Sequence, residues 1–140
     1  MYYGDIWEDE AYAKIVLTIT YDNQVTTSAI LDTGAPWSVL NPSEFQALEG
    51  QYDPSLAAQE FLNIRGQKYR GHIWRIPATL EAGRGKGMTI EASVFVPQLD
   101  EGQIWLHPNF IGLEGFLNRI RFAIDPEHNY FYFGSDQDLG

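Results

Sequence analysis

Cysteine is missing from this 140-residue chain altogether. Disulfides, thiolate nucleophiles and Cys-based zinc sites are therefore excluded, and the composition fits a reducing compartment. Basic residues are scarce: nine Lys and Arg stand against nineteen Asp and Glu, a net charge of -10 with histidine neutral. A phosphate backbone needs clustered positive charge, so nucleic acid is not the expected partner. No apolar run approaches the length of a membrane-spanning helix. The opening Met1-Tyr2-Tyr3-Gly4-Asp5-Ile6-Trp7-Glu8-Asp9-Glu10 lacks the basic and apolar regions of a signal peptide. Long Gly/Ser/Pro tracts are also absent and aromatics make up 14% of the chain, which argues against wholesale disorder. These absences describe a soluble, cytoplasmic protein without a membrane partner, and the length fits one domain that buries a real core.

What is present is mostly strand pattern. Ala13 to Tyr21 is rich in β-branched residues, and Asp22-Asn23 supplies a turn before Val25 to Leu31. The two runs make a hairpin that delivers Asp32 to the loop after its second strand, and Trp37-Ser38-Val39-Leu40 resumes an extended segment. Asn41-Pro42-Ser43-Glu44 is a helix start, with asparagine as cap, proline at the first helical position and Glu44 placed to complete a capping box; Gly50 ends it. Asp53-Pro54 repeats the cap-plus-proline signal and predicts a second short helix over Ser55 to Leu62. From Ile64 the pattern returns to strands, through Ile73-Trp74-Arg75-Ile76 toward Leu80, a glycine-rich hairpin loop from Glu81 to Gly87, and Thr89 to Val96. Leu113 to Arg119 carries apolar residues at 113, 116 and 117, the spacing of a short helix on the core. Ile120 to Ile124 and Tyr130 to Phe133 close the chain as strands. Many short strands with one or two short helices predict a single mainly-β domain over 1–140, without internal repeats.

The sharpest chemical signal is Asp32-Thr33-Gly34-Ala35, set at the end of the apolar run Ser28-Ala29-Ile30-Leu31. Asp-Thr-Gly is ordinary turn composition, and in a chain this long it arises by chance with a probability on the order of several per cent. Its context sharpens it. Ala29-Ile30-Leu31-Asp32-Thr33-Gly34-Ala35 followed by Ser38-Val39-Leu40 resembles the active-site segment of retroviral-type (retropepsin-like) aspartic proteases. Far along the chain, Phe110-Ile111-Gly112-Leu113-Glu114-Gly115-Phe116-Leu117 resembles that family's second signature, and Ile120-Arg121-Phe122-Ala123-Ile124-Asp125-Pro126 is similar to the strand and turn that close cellular members. The resemblance covers about residues 12–134, with both motifs in order and in register.

That resemblance implies a closed, barrel-like acid-protease fold working as a homodimer on a peptide or protein substrate, without cofactor or metal. Peptide hydrolysis of this type needs two carboxylates that share a proton, one ionised to activate water and one protonated to act as acid. The motif occurs once, so the second carboxylate comes from a second copy. Asp32 would carry the reactive carboxylate, Thr33 would bond backbone across the symmetry axis, and Gly34 would allow close approach of twin and substrate. Ala35 keeps that approach narrow. A mobile flap would fall near Arg65-Gly66-Gln67-Lys68-Tyr69-Arg70-Gly71, with Gly66, Gln67, Lys68 and Tyr69 on the substrate; the same stretch also reads as an ordinary exposed loop. Six of the nine basic residues lie between Arg65 and Lys86, a solvated face or a zone that favours acidic substrate segments.

Two positions depart from the viral pattern. Acidic residues after Asp-Thr-Gly-Ala and an arginine after the second signature's glycine form a bridge in viral members; here Pro36, Trp37 and Leu113 stand in their places. An apolar contact can replace such a bridge, and Trp37 either packs there or lines a subsite. Other constellations fail: His72, His107 and His128 have no metal-ligand spacing, and Gly83-Arg84-Gly85-Lys86-Gly87 lacks the spacing and the hydroxyl residue of a phosphate loop. The reading is an aspartic endopeptidase. Its alternatives are a non-catalytic dimeric peptide-binding module or scaffold of the same fold, and a monomeric structural domain or a protomer that dimerises only with a different partner.

Overall fold

The computed structural model describes residues 2–3, 5–9 and 12–134, with side chains from Ile15 onward. Its strands run in the order β1 (Tyr2–Tyr3), β2 (Asp5–Asp9), β3 (Tyr12–Tyr21), β4 (Val25–Leu31), β5 (Ser38–Val39), β6 (Ala58–Ile64), β7 (Gln67–Leu80), β8 (Met88–Pro97), β9 (Asn109–Ile111), β10 (Arg121–Asp125) and β11 (Tyr130–Gly134), with one α-helix, α1 (Pro42–Glu49), after β5. The β-branched runs on either side of Asp22-Asn23 pair as the sequence indicates, Val16 opposite Ile30 and Tyr21 opposite Val25. Asp22 and Asn23 take positive φ of 52° and 56° in the turn, a conformation these two residue types tolerate better than most.

The large sheet has the order β2-β3-β4-β9-β5-β8-β7-β6, and β3 also pairs with β7 through Ile19–Leu80, Thr20–Thr79 and Tyr21–Ala78. That second pairing closes β3-β4-β9-β5-β8-β7 into a six-stranded barrel, so the mainly-β closed architecture is as expected. Alternation does the work: along β7, Trp74, Ile76, Ala78 and Leu80 turn inward to meet Leu17, Ile19, Val94 and Ile111. Burying each Leu, Ile or Val contributes roughly 1.5–3 kcal/mol. β1, β11 and β10 form a separate three-stranded sheet in which both ends of the chain meet. Among the described residues no helix is long and apolar enough to cross a membrane.

Helix α1 begins where its cap predicts: Asn41 Oδ1 accepts the Ser43 N–H at 2.9 Å, Pro42 occupies the first helical position, and Phe45 and Leu48 bury one face. Glu44 does not close a capping box. The Asn41 N–H donates instead to Asn109 Oδ1 at 2.7 Å, and the Glu44 carboxylate accepts from Asn109 Nδ2.

Two expected helices are different in the structure. Asp53 caps as read, accepting the Ser55 N–H at 2.9 Å, but only a 3-10 turn, Pro54–Leu56, follows. Ala58–Ile64 is strand β6, because β7 extends far enough to pair with all of it, from Ala58–Ile73 to Ile64–Gln67; a long partner strand outweighs a local cap. Over Leu113 to Arg119 only Leu117–Arg119 is helical, as a 3-10 turn. Gly115 at φ 69° lies outside the helical region and breaks any helix started at Leu113, and the Leu113 and Glu114 N–H groups donate to the carbonyls of Ala35 and Pro36.

Candidate active site

Strand β4 pairs in parallel with β9, Leu31 opposite Ile111, and the Asp32 N–H donates to the Ile111 carbonyl at 2.9 Å as the next rung. The barrel thus fixes the backbone at the point where the chain leaves the sheet. A tight turn follows, with the Ala35 N–H donating to the Asp32 carbonyl at 3.1 Å. The Gly34 N–H donates to Asp32 Oδ1, also at 3.1 Å. Oδ2 receives no hydrogen bond from the described residues, and the carboxylate is half-buried. One oxygen is anchored and the other is open. Thr33 and Gly34 are exposed, and the Thr33 hydroxyl has no partner among the described residues.

The second motif lies directly beneath. The Gly112 N–H donates to the buried Ser38 Oγ at 2.9 Å, the Leu113 N–H to Ala35 O at 2.9 Å and the Glu114 N–H to Pro36 O at 2.7 Å. A Cβ on Gly112 would sit 2.5 Å from the Trp37 carbonyl oxygen and 2.8 Å from that of Ala35. No side chain fits there, which is why a glycine crosses under the loop. The structure thus brings Asp32, Thr33, Gly34 and Ala35 together with Gly112 and Leu113.

Asp32, Thr33, Gly34 and Ala35 form the floor of a cavity of about 610 Å³, a size suited to a bound ligand. Ile30, Leu31, Trp37, Val39 and Phe110 make its walls mostly apolar, and Ile124 of β10 reaches it from the terminal sheet. Its roof is the tip of the β6–β7 hairpin. Arg65 and Gly66 at φ 51° and 84° make the two-residue turn, the left-handed pair that matches strand twist and needs glycine at its second position. Leu62, Asn63, Ile64 and Arg65 line the cavity.

Gly66, Gln67, Lys68 and Tyr69, expected on the substrate, do not line it; the roof comes from the strand before the turn. The return strand is tied elsewhere, to β8 and to the following loop, where the Gln98 N–H donates to Arg70 O at 2.8 Å. Tyr69 points into a second apolar cluster with Val39, Ile64, Phe95 and Trp105. Its hydroxyl lies 3.0 Å from His107 Nε2. Gln67 and Lys68 border a shallower polar depression with Arg70, Gln98 and Asp100 on the other side of the hairpin. Trp37 packs against that cluster and lines the cavity. His107 is held below the usual histidine range, first by burial and then by the Arg65 cation.

One positioning residue escaped the sequence reading. Asn109 is buried at the start of β9; its Nδ2 donates to Thr27 Oγ1 at 2.9 Å, Ser28 O at 3.2 Å and Glu44 Oε2 at 3.2 Å, while Oδ1 takes the Asn41 N–H. It ties β9 to β4 and to the start of α1. An amide opening an otherwise apolar run, Asn109-Phe110-Ile111, is the signal that marked it. The turn after β10 also brings Asp125, Glu127 and His128 to within 4.8 Å of one another. His128 Nδ1 lies 2.8 Å from Asp125 Oδ2, a contact that lowers the Asp125 pKa and closes an exposed turn. No protein-family model matches the chain, and no curated protein does either.

Proposed function

We propose that the chain is an aspartic endopeptidase of the retropepsin-like kind, active as a homodimer in which Asp32 of each copy supplies one carboxylate. The observation that carries this reading is the half-site: a carboxylate with one oxygen held by the Gly34 N–H and the other open, on the floor of an apolar-walled cavity, above a glycine crossing that no side chain permits. One such carboxylate has no acid to work with. Two, face to face, cannot both ionise, and the pair shares one proton as a unit. The ionised member takes a proton from water as it adds to the scissile carbonyl; the protonated member donates to the carbonyl oxygen. The proton taken from water then passes to the leaving nitrogen, the C–N bond breaks as the carboxyl carbonyl forms, and the other carboxylate takes back a hydroxyl proton.

The surface around the half-site supports a second copy. Thr33 and Gly34 face outward, Leu113 beside them is 41% exposed, and Phe122 and Ile124 on the edge strand β10 are 36% and 39% exposed. Phe122 and Ile124 share a face by the two-residue period. Pro36, Trp37 and Leu113 occupy the positions of the viral acid–arginine bridge, where an apolar contact would take its place.

The test is cleavage of a diverse peptide library from acidic to neutral pH by wild type and Asp32→Asn, with a statine-type compound as inhibitor and sedimentation over a concentration series alongside. Cleavage by the wild type, lowered by a factor on the order of 10⁴ in the variant, with dimers at the active concentration, is the expected result. Cleavage retained by Asp32→Asn removes the mechanism. Binding of peptides without turnover would assign the chain to the non-catalytic module instead.

A further inference from the structure

The cavity walls are apolar, yet the hairpin tip places a cation in them. Among the described residues Arg65 is the one basic side chain that lines the cavity. Two features hold it. Its backbone is set in the turn at φ 51°, and its guanidinium carbon lies 5.7 Å from the centroid of the Phe110 ring. Phe110 is itself fixed in β9 opposite Ile30. Stacking on a ring orients the planar guanidinium and leaves its N–H donors unspent. No carboxylate among the described residues forms an ion pair with Arg65, in a chain where acidic residues outnumber basic ones nineteen to nine. The cation is felt nearby, since it helps hold His107 below its usual range.

Resting on the protease reading above, we propose that Arg65 is a specificity-determining residue, and that the preferred substrates are peptides carrying Asp or Glu within reach of the hairpin tip. A carboxylate is the ligand that matches an oriented guanidinium fork, through paired charge-assisted hydrogen bonds. The apolar walls would take the flanking side chains. Asp32 is the other charged group in the cavity and repels an acidic side chain placed beside it, so the preference falls away from the scissile bond itself, toward the hairpin.

The test steps Glu, or Gln as its neutral match, through each position on both sides of a cleaved bond and measures kcat/KM for wild type, Arg65→Gln and Arg65→Glu. At one position the wild type favours Glu by about tenfold at low salt, the size of one charged hydrogen bond. The ratio shrinks as salt is raised, falls to about one in Arg65→Gln and inverts in Arg65→Glu. A wild-type ratio near one at every position, or a Glu preference that survives in Arg65→Gln, overturns the proposal and leaves the protease reading standing. If no peptide is cleaved, the protease reading fails. The same Glu and Gln peptides, fluorescently labelled, are then titrated against Asp32→Asn protein with and without Arg65→Gln. An Arg65-dependent Glu preference in binding sustains the assignment, and its absence ends it.

Discussion

Beneath the Asp32 loop the chain meets itself at every step; on its outer face, at Thr33 and Gly34, the loop is left exposed. On the underside, Ile111 O, Ser38 Oγ and the carbonyls of Ala35 and Pro36 are all engaged, and Gly112 is wedged against Trp37 and Ala35. On the outer face, Thr33 and Gly34 are exposed and the Thr33 hydroxyl has no described partner. The two glycines make the contrast sharpest. A Cβ on Gly112 would overlap two carbonyl oxygens, whereas one on Gly34 would meet only Asp32 Oδ1 at 3.5 Å, an ordinary contact. The fold alone accounts for the first glycine. Nothing among the described residues calls for the second; under the homodimer proposal, a twin loop or a substrate approaching from outside would.

Gly112→Ala is the strongest way to break that contrast. The added methyl must displace either the 35–37 segment or β9, and both are locked into the barrel. Overpacking against backbone that cannot relax costs about 3 kcal/mol or more. Urea unfolding of the variant should show that loss or no folded protein at all; a loss below about 1 kcal/mol would mean that the crossing is looser than its geometry.

Ser38→Ala probes the same underside more gently. It leaves the Gly112 N–H buried without its 2.9 Å acceptor, at a cost of about 1–3 kcal/mol. The barrel should persist, because Ser38 and Val39 keep their pairing with Val94 and Phe95. Denaturant midpoints measure the effect, and an unchanged midpoint would show that the Gly112 N–H finds another acceptor.

How much of this was legible in the sequence follows the same divide. The Asp32 turn was legible as turn composition and, with the Gly112 segment, through a resemblance; the backbone that forbids a side chain at Gly112 comes from residues 35–37 and shows only in the folded chain. Asn41-Pro42 announced α1 because a helix start dictates its residue types locally, and the β3–β4 hairpin was carried by its turn and its β-branched strands. Closure of the barrel was expected only through a resemblance, since the β3–β7 pairing joins segments far apart in the chain. Strand β6 was mistaken for a helix because Asp53-Pro54 is a genuine cap, and nothing local reveals that β7 continues past Trp74 to Gln67. Substrate contacts were expected from Gly66 to Tyr69, whereas the residues of this hairpin that line the cavity are Leu62 to Arg65. Tyr69 instead buries itself in a cluster with Trp105 from a distant loop, a packing that no local pattern announces. Asn109 went unread because its four hydrogen-bonding partners come from β4, α1 and the residue before α1, and only the folded chain gathers them.

Gly34→Ala produces the smallest change in stability and for that reason separates the two faces most cleanly. Gly34 is not at positive φ and its added methyl has room within one chain. Replacing glycine at such a position trims the unfolded ensemble and stabilises by about 0.4–1 kcal/mol. Thermal unfolding should therefore be unchanged or slightly raised. Under the homodimer reading, the same methyl projects where the twin loop and the peptide come closest, so cleavage should fall by at least an order of magnitude and dimers should weaken in sedimentation. A variant that gains stability while losing turnover would locate the need for glycine outside the chain. One that keeps both would mean that nothing approaches Gly34 closely, and the outer face of the loop would then be surface in fact as well as in the isolated protomer.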